Sequence, residues 1–143
     1  MIKQSKIKNY NWERVCIVGL GGHAINKIIP ALNKIKLEIA GIVTSKKGNL
    51  GNNYLYFSKL ENALSFFDEK TLFIISSPPI AHYQQTKLIL KNGFDVMVEK
   101  PAFIYKKELI ELIHIAKEKN LLLIEMFMYL ESKAVSKIVR IIK

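Results

Sequence analysis

Residues 15–24, Val-Cys-Ile-Val-Gly-Leu-Gly-Gly-His-Ala, constrain this chain more than any other stretch. Arg14 to Val18 read as a strand, buried on both faces along Val15 to Val18, and the strand runs straight into a glycine-rich turn. The turn opens a helix from Ile25 to about Ile35. Its spacing is G-x-G-x-x-A, with Gly19, Gly21 and Ala24 at the fixed positions. Gly19 permits the tight turn, Gly21 leaves room for a pyrophosphate against the backbone, and Ala24 lets the helix pack close on the strand. Gly22 and His23 sit inside the turn. His23 is expected to matter more through its backbone than through its ring. Free N–H groups and the positive end of the helix dipole would then face an anion. The alternative is a tight strand–helix turn without a ligand. The placement after a strand, before a helix and near the N-terminus favours dinucleotide binding.

The rest of the chain alternates in the same way. Apolar runs at Leu37–Val43, Leu72–Ser76, Phe94–Val98 and Leu121–Met126 read as strands, with a minor strand at Tyr54–Phe57. Helical stretches follow at about Ser58–Phe67, Ile80–Lys91, Lys106–Lys119 and Ser132–Ile142. Ser58-Lys59-Leu60-Glu61 reads as a capping box. Pro30 falls inside the first helix, where it should kink the helix or shift its boundaries. Strands and helices joined by short links imply an α/β fold: a doubly wound, mostly parallel Rossmann sheet in three α/β/α layers. Residues 1–13 read as a lead-in whose Trp12 packs on the domain edge, and residues 14–143 as one domain.

Charge and cysteine usage narrow the partners. The formal net charge is +10 and half the residues are apolar, enough for a sizeable core. Among the 22 basic residues only Arg14 and Arg140 are arginine, and the lysines are scattered over every helix. Nucleic-acid sites lean on arginine, so a lysine-rich solvated surface is favoured, with a general attraction for anionic ligands as the alternative. Cys16 is the single cysteine and lies in the first strand, so no disulfide forms within the chain and a cytoplasmic location fits. The N-terminus is basic but lacks the apolar run of a signal peptide. The longest apolar run, Leu121 to Leu130, is too short to span a bilayer and contains Glu125. No nucleic-acid or membrane partner is expected.

Ligands of such sheets bind beyond the carboxyl ends of the strands, so chemistry is sought there. After the second strand come Thr44, Ser45, Lys46 and Lys47, with no acid to meet a free ribose diol. Hydroxyls and ammonium groups favour a 2′-phosphate, hence NADP over NAD. Ser76, Ser77 and Pro78 end the next strand and would lie under a nicotinamide ribose. His82, in the first turn of the following helix, is either a cofactor or substrate contact or a surface histidine. His114 is mid-helix and reads as structural. Glu99-Lys100-Pro101 places a charged pair at the same edge, and Pro101 biases Lys100 toward an extended conformation. Lys100 could donate a proton or hydrogen bond to a substrate oxygen beside the nicotinamide. No metal site is expected.

Gly19-Leu20-Gly21-Gly22-His23-Ala24, then Ser77-Pro78-Pro79-Ile80-Ala81-His82, then Asn92 through Pro101 with its E-K-P motif, together resemble the Gfo/Idh/MocA family of glucose-fructose oxidoreductase and inositol dehydrogenase relatives. Glu125 to Tyr129 is similar to the family's last nucleotide-domain strand. The resemblance covers Arg14 to about Lys143 and implies a Rossmann domain binding NAD(P) in an oxidoreductase of sugar or polyol hydroxyls. It also implies that Lys100 is catalytic or orients substrate, that Glu99 lies on the nicotinamide side, and that His82 lies near it. Relatives commonly carry an acid after the second strand, where Thr44 to Lys47 has none, and an Arg and a Pro where Leu130 to Lys133 stand. The family's C-terminal substrate domain, with its His-containing motif, is expected to be absent from these 143 residues.

The expected function is therefore the NAD(P)-binding domain of an oxidoreductase, incomplete for catalysis alone and completed by another domain or chain that brings a sugar-like substrate. The alternative is a stand-alone dinucleotide-binding sensor or accessory module without turnover. A basic structural or nucleic-acid-binding domain is the third reading. A sheet edge and apolar patches left by a missing domain would favour homo-oligomers.

Overall fold

The computed structural model describes residues 11–45 and 54–127. Strand β1, Arg14–Val18, forms the centre of a 6-stranded sheet. It is flanked by β2, Glu38–Val43, and β4, Thr71–Ile75. Strand β3, Leu55–Phe57, pairs outside β2, while β5, Val96–Glu99, and β6, Leu123–Met126, extend the other side. The order is β3-β2-β1-β4-β5-β6 and every pairing is parallel. This is the doubly wound Rossmann order, in which the chain reverses direction between β1 and β4 and opens a crevice there.

Period-two alternation divides the strands between two cores. Val15, Ile17, Leu72 and Ile74 face one side, against Ala24, Ile28, Ile29 and Leu32 of the first helical segment. Cys16, Val18, Phe73, Ile75, Val96 and Val98 face the other, against the remaining helices. Those are α2, Leu60–Phe66, α3, Pro79–Lys91, and α4, Lys106–Glu118. Strands covered on both faces can be apolar throughout, which is why β1 and β4 read as unbroken apolar runs.

The first helix is not continuous α-helix. Ala24–Ile28 is π-helical and passes into α1, Ile29–Lys34. The Ile29 N–H donates to the Ala24 carbonyl, one residue farther back than in an α-helix. Pro30 follows at once and has no N–H to place in the ladder. The widened turn absorbs it without ending the segment, the π-bulge solution to a break in the i→i−4 pattern.

The capping box expected at Ser58 is not formed. Lys59 is the N-cap of α2, extended at φ −131° and ψ 143°, with no side-chain hydrogen bond. Ser58 lies one residue too early for that role. A reciprocal bond of the same kind occurs at α4, where the Tyr105 N–H donates to the Glu108 carboxylate at 3.2 Å. The helix expected at residues 132–142 and the lead-in at residues 1–10 lie outside the described residues.

Asp95 locks the entrance to β5. Its carboxylate accepts from the Trp12 indole N–H at 2.9 Å and from the Leu122 N–H at 2.8 Å. One buried side chain thus ties the segment before β1 and the segment before β6 to the same strand. Asp95→Ala leaves two donors without an acceptor and is expected to cost about 1–3 kcal/mol in urea unfolding. The emission of Trp12, the single tryptophan, should shift to the red. Asp95→Asn keeps one side-chain oxygen and should lose less.

Candidate functional site

The carboxyl ends of β1, β2 and β4 are stitched together by backbone hydrogen bonds. The Gly19 N–H donates to the Val43 carbonyl at 2.8 Å and the Ser76 N–H to the Val18 carbonyl at 2.8 Å. Gly19 takes φ +96°, and a Cβ there would lie 2.6 Å from the Ser77 nitrogen and 2.8 Å from the Ser76 carbonyl carbon. Only glycine permits that approach. Gly21 differs: a Cβ there would meet nothing nearer than the Ser76 oxygen at 4.0 Å. The space over Gly21 is open.

That space belongs to a cleft of about 470 Å³. Gly19, Leu20 and Gly21 form one wall, Thr44, Ser45, Ser58 and Leu60 a second, and Ser76, Ser77, Pro78, Ala81 and Gln85 a third. The volume lies in the range of cofactor sites. The Thr44 N–H donates to the Phe57 carbonyl at 2.9 Å, which draws Ser58 beside Thr44 and Ser45. Ser77 Oγ donates to the Gln85 carboxamide oxygen, one turn beyond Ala81 on the same face of α3. Hydroxyl groups and glycine backbone therefore line the cleft, and none of its described lining residues is acidic.

The cleft brings together Gly19, Gly21, Thr44, Ser45, Ser76, Ser77 and Pro78 of the residues singled out from sequence. Gly22 and Ala24 are not in the lining, and Ala24 is buried in the core beneath β1. Lys46 and Lys47 fall outside the described residues. Ala81 belongs to the Ser77–His82 motif, whereas Ser58 and Gln85 are not among the sequence candidates for the site. The i, i+4 spacing of Ala81 and Gln85 was the available signal, whereas Ser58 arrives through the pairing of β2 and β3 and leaves no local mark.

A second group lies at the end of β5. Glu99, 9% exposed, accepts from its neighbour's backbone, the Lys100 N–H, at 3.1 Å through Oε2. Its Oε1 lies 2.9 Å from Nε2 of His23 in the glycine turn. His23 was expected to act through its backbone. Its ring instead links the turn to the E-K-P segment. The Lys100–Pro101 peptide is cis. Lys100 is exposed, and its ammonium forms no ion pair among the described residues.

His82 is neither a surface histidine nor part of the cleft lining. It is 1% exposed. Nε2 lies 2.8 Å from the Ser77 carbonyl, and Nδ1 lies 3.1 Å from that of Pro101 and 3.2 Å from that of Ala102. The imidazole is a strut between the cleft wall and the E-K-P loop. The Ala102 N–H in turn donates to Glu125 Oε1 at 3.0 Å. Cys16 stays chemically quiet, since burial pushes its thiol far above the usual range. His114 lies on the exposed side of α4, 3.5 Å from Glu118. No group of three or more His, Cys, Asp or Glu among the described residues could hold a metal ion. No described helix is long and apolar enough to cross a membrane.

Comparison with known proteins agrees with this architecture. The family GFO_IDH_MocA, described as an oxidoreductase family with an NAD-binding Rossmann fold, matches residues 13–127. An uncharacterized oxidoreductase of Synechocystis, sll0816, is 30% identical over 121 residues, covering 79% of this chain and 32% of that protein. The chain thus spans about a third of that relative's length. Among solved structures, the 3-ketoreductase KijD10 from Actinomadura kijaniata, in complex with NADP and TDP-benzene, superposes with a TM-score of 0.82 at 21% identity, over 92% of this chain and 42% of its own. The WlbA dehydrogenase from Chromobacterium violaceum, in complex with NADH and UDP-GlcNAcA, gives 0.72 at 20% identity, over 83% and 36%. At these identities the superpositions speak for the fold.

The two glycines should separate stability from binding. Gly19→Ala forces a strained φ and a backbone clash and is expected to destabilise by roughly 1–3 kcal/mol. Gly21→Ala has room for its methyl and should stay within about 0.5 kcal/mol of the parent in thermal unfolding.

Proposed function

The chain belongs to the Gfo/Idh/MocA oxidoreductase family and carries its NAD-binding Rossmann fold, and on that premise we propose that it holds NADP in preference to NAD. The single observation that carries this reading is the acid-free, hydroxyl-lined cleft over Gly21. Gly19, Gly21, Gly22, His23 and Ala24 form the turn that receives the diphosphate. Thr44 and Ser45, with Ser58 beside them, receive the adenosine ribose, and Lys46 supplies charge for a 2′-phosphate. An Asp or Glu at this wall would bind a free 2′-hydroxyl and repel a 2′-phosphate. Ser76, Ser77 and Pro78 support the cofactor from the third wall, with Gln85 behind them.

The nicotinamide end runs toward Glu99 and Lys100. When bound, the cofactor supplies or accepts a hydride. Lys100 is the residue of this chain that meets the substrate: its unpaired ammonium hydrogen-bonds the oxygen of a sugar or polyol hydroxyl or carbonyl and holds or releases the proton there. Glu99 and His82 set where that lysine stands rather than touching substrate. The whole enzyme's substrate pocket needs a further domain or chain to exclude water over this open edge. A chain that binds dinucleotide without turnover is the second reading, favoured by the openness of the Lys100 end.

Fluorescence titration tests the assignment. NADPH should bind more tightly than NADH, and equal or absent binding would refute it. Ser45→Asp places a carboxylate on the second wall and should shift the NADPH-to-NADH preference toward NADH by roughly tenfold, or about 1.4 kcal/mol. Gly21→Asp should abolish binding of both, while Lys100→Ala should leave binding largely intact.

A further inference from the structure

Glu99 and Lys100 are neighbours with long side chains of opposite charge, yet they do not pair. Sequence adjacency does not forbid it, since Glu13 and Arg14 in this same chain are paired at 3.3 Å. The difference lies in what else holds the carboxylate. Both oxygens of Glu99 are occupied, Oε1 by His23 Nε2 at 2.9 Å and Oε2 by the Lys100 backbone N–H at 3.1 Å. The carboxylate is also drawn inward, its side chain 12% exposed, while Lys100 stays in solvent. Glu125, across the β5–β6 pairing, is occupied by the Ala102 N–H. A carboxylate with two donors and little exposure has no reason to leave them for a mobile ammonium.

We infer that His23 is a positioning residue: by engaging Glu99 it keeps the Lys100 ammonium unpaired and available to a substrate oxygen. The inference rests on the assignment of Lys100 to the substrate. Without the imidazole, Glu99 loses its partner across the turn and turns to the adjacent Lys100. The amine is then masked at the point where the reaction needs it.

The readout is the reactivity of Lys100 itself, measured on the full chain without cofactor. The chain is treated with N-hydroxysuccinimidyl acetate, and acetylation at Lys100 is followed by peptide mass spectrometry relative to the exposed Lys117 of α4. His23→Ala should slow acetylation of Lys100 roughly twofold to fivefold, the range of an exposed ion pair. His23→Gln, whose amide can still donate to Glu99, should keep the parental rate. The double variant His23→Ala with Glu99→Gln should restore it, because a neutral amide does not hold an ammonium. His23→Leu carries the same expectation as His23→Ala should the alanine variant not fold, as judged by Trp12 emission. An unchanged Lys100 rate in the folded Ala or Leu variant, or a slowed rate in the Gln or double variant, would overturn the inference. Titration of the same proteins with NADPH is independent: loss of dinucleotide binding by the parent refutes the proposed function, and the acetylation pattern stands or falls separately.

Discussion

The close approach of Gly19 to the Ser76–Ser77 backbone is the contact on which the site depends. It places the turn after β1 against the turn after β4, at the point where the sheet reverses direction. Two short hydrogen bonds, from Gly19 to Val43 and from Ser76 to Val18, hold the ends of three strands at one level. A side chain at Gly19 would force those ends apart, and the cleft they enclose would lose its floor. Gly21 carries no such structural burden, so its lack of a side chain is explained by the space in front of it rather than by the fold behind it. Two glycines two residues apart thus differ, one closed in by backbone and one facing open space.

The loop from Glu99 to Ala102 is held in a comparable way from several directions. The glycine turn reaches it through His23, α3 through His82, and β6 through Glu125. Each tie ends on an element of the sheet or on a helix packed against it. Lys100 on such a loop inherits the rigidity of the scaffold, while its own side chain stays exposed to solvent. The cleft and the lysine are also connected directly, because His82 spans from the Ser77 carbonyl in the cleft wall to the carbonyls of Pro101 and Ala102.

The fold was legible in the sequence because strands covered on both faces leave long apolar runs and helices leave a longer period, and both signals are local. β1 begins and ends where Arg14 and Val18 indicated. The parallel pairing followed from the alternation of strands and helices. What was not legible depended on geometry without a sequence period. Pro30 signalled a disturbance, but not that it would be absorbed by a π-helical turn at Ala24–Ile28. Ser58 had the composition of a cap and became a cleft wall because Thr44 bonds to Phe57. His82 reads as ambiguous and His23 as a backbone contributor, since an imidazole's role is fixed by its partners. Those partners, Pro101 and Ala102 for one and Glu99 for the other, are far away in the chain.

The same partners explain the electrostatic character of the edge. A dinucleotide is an anion, and a free carboxylate beside its path would repel it. Two glutamates nevertheless stand at the ends of β5 and β6. Glu99 is bonded to an imidazole and a backbone N–H, and Glu125 accepts from Ala102. Glu99 is nearly buried between its two donors, Glu125 is exposed with one oxygen on the Ala102 N–H, and Lys100 remains open to solvent. A net charge of +10 sets a field that attracts anions toward the molecule as a whole. The acids at this loop are held by donors that lie outside the cleft lining, so the loop is fixed from the protein side rather than from the cleft.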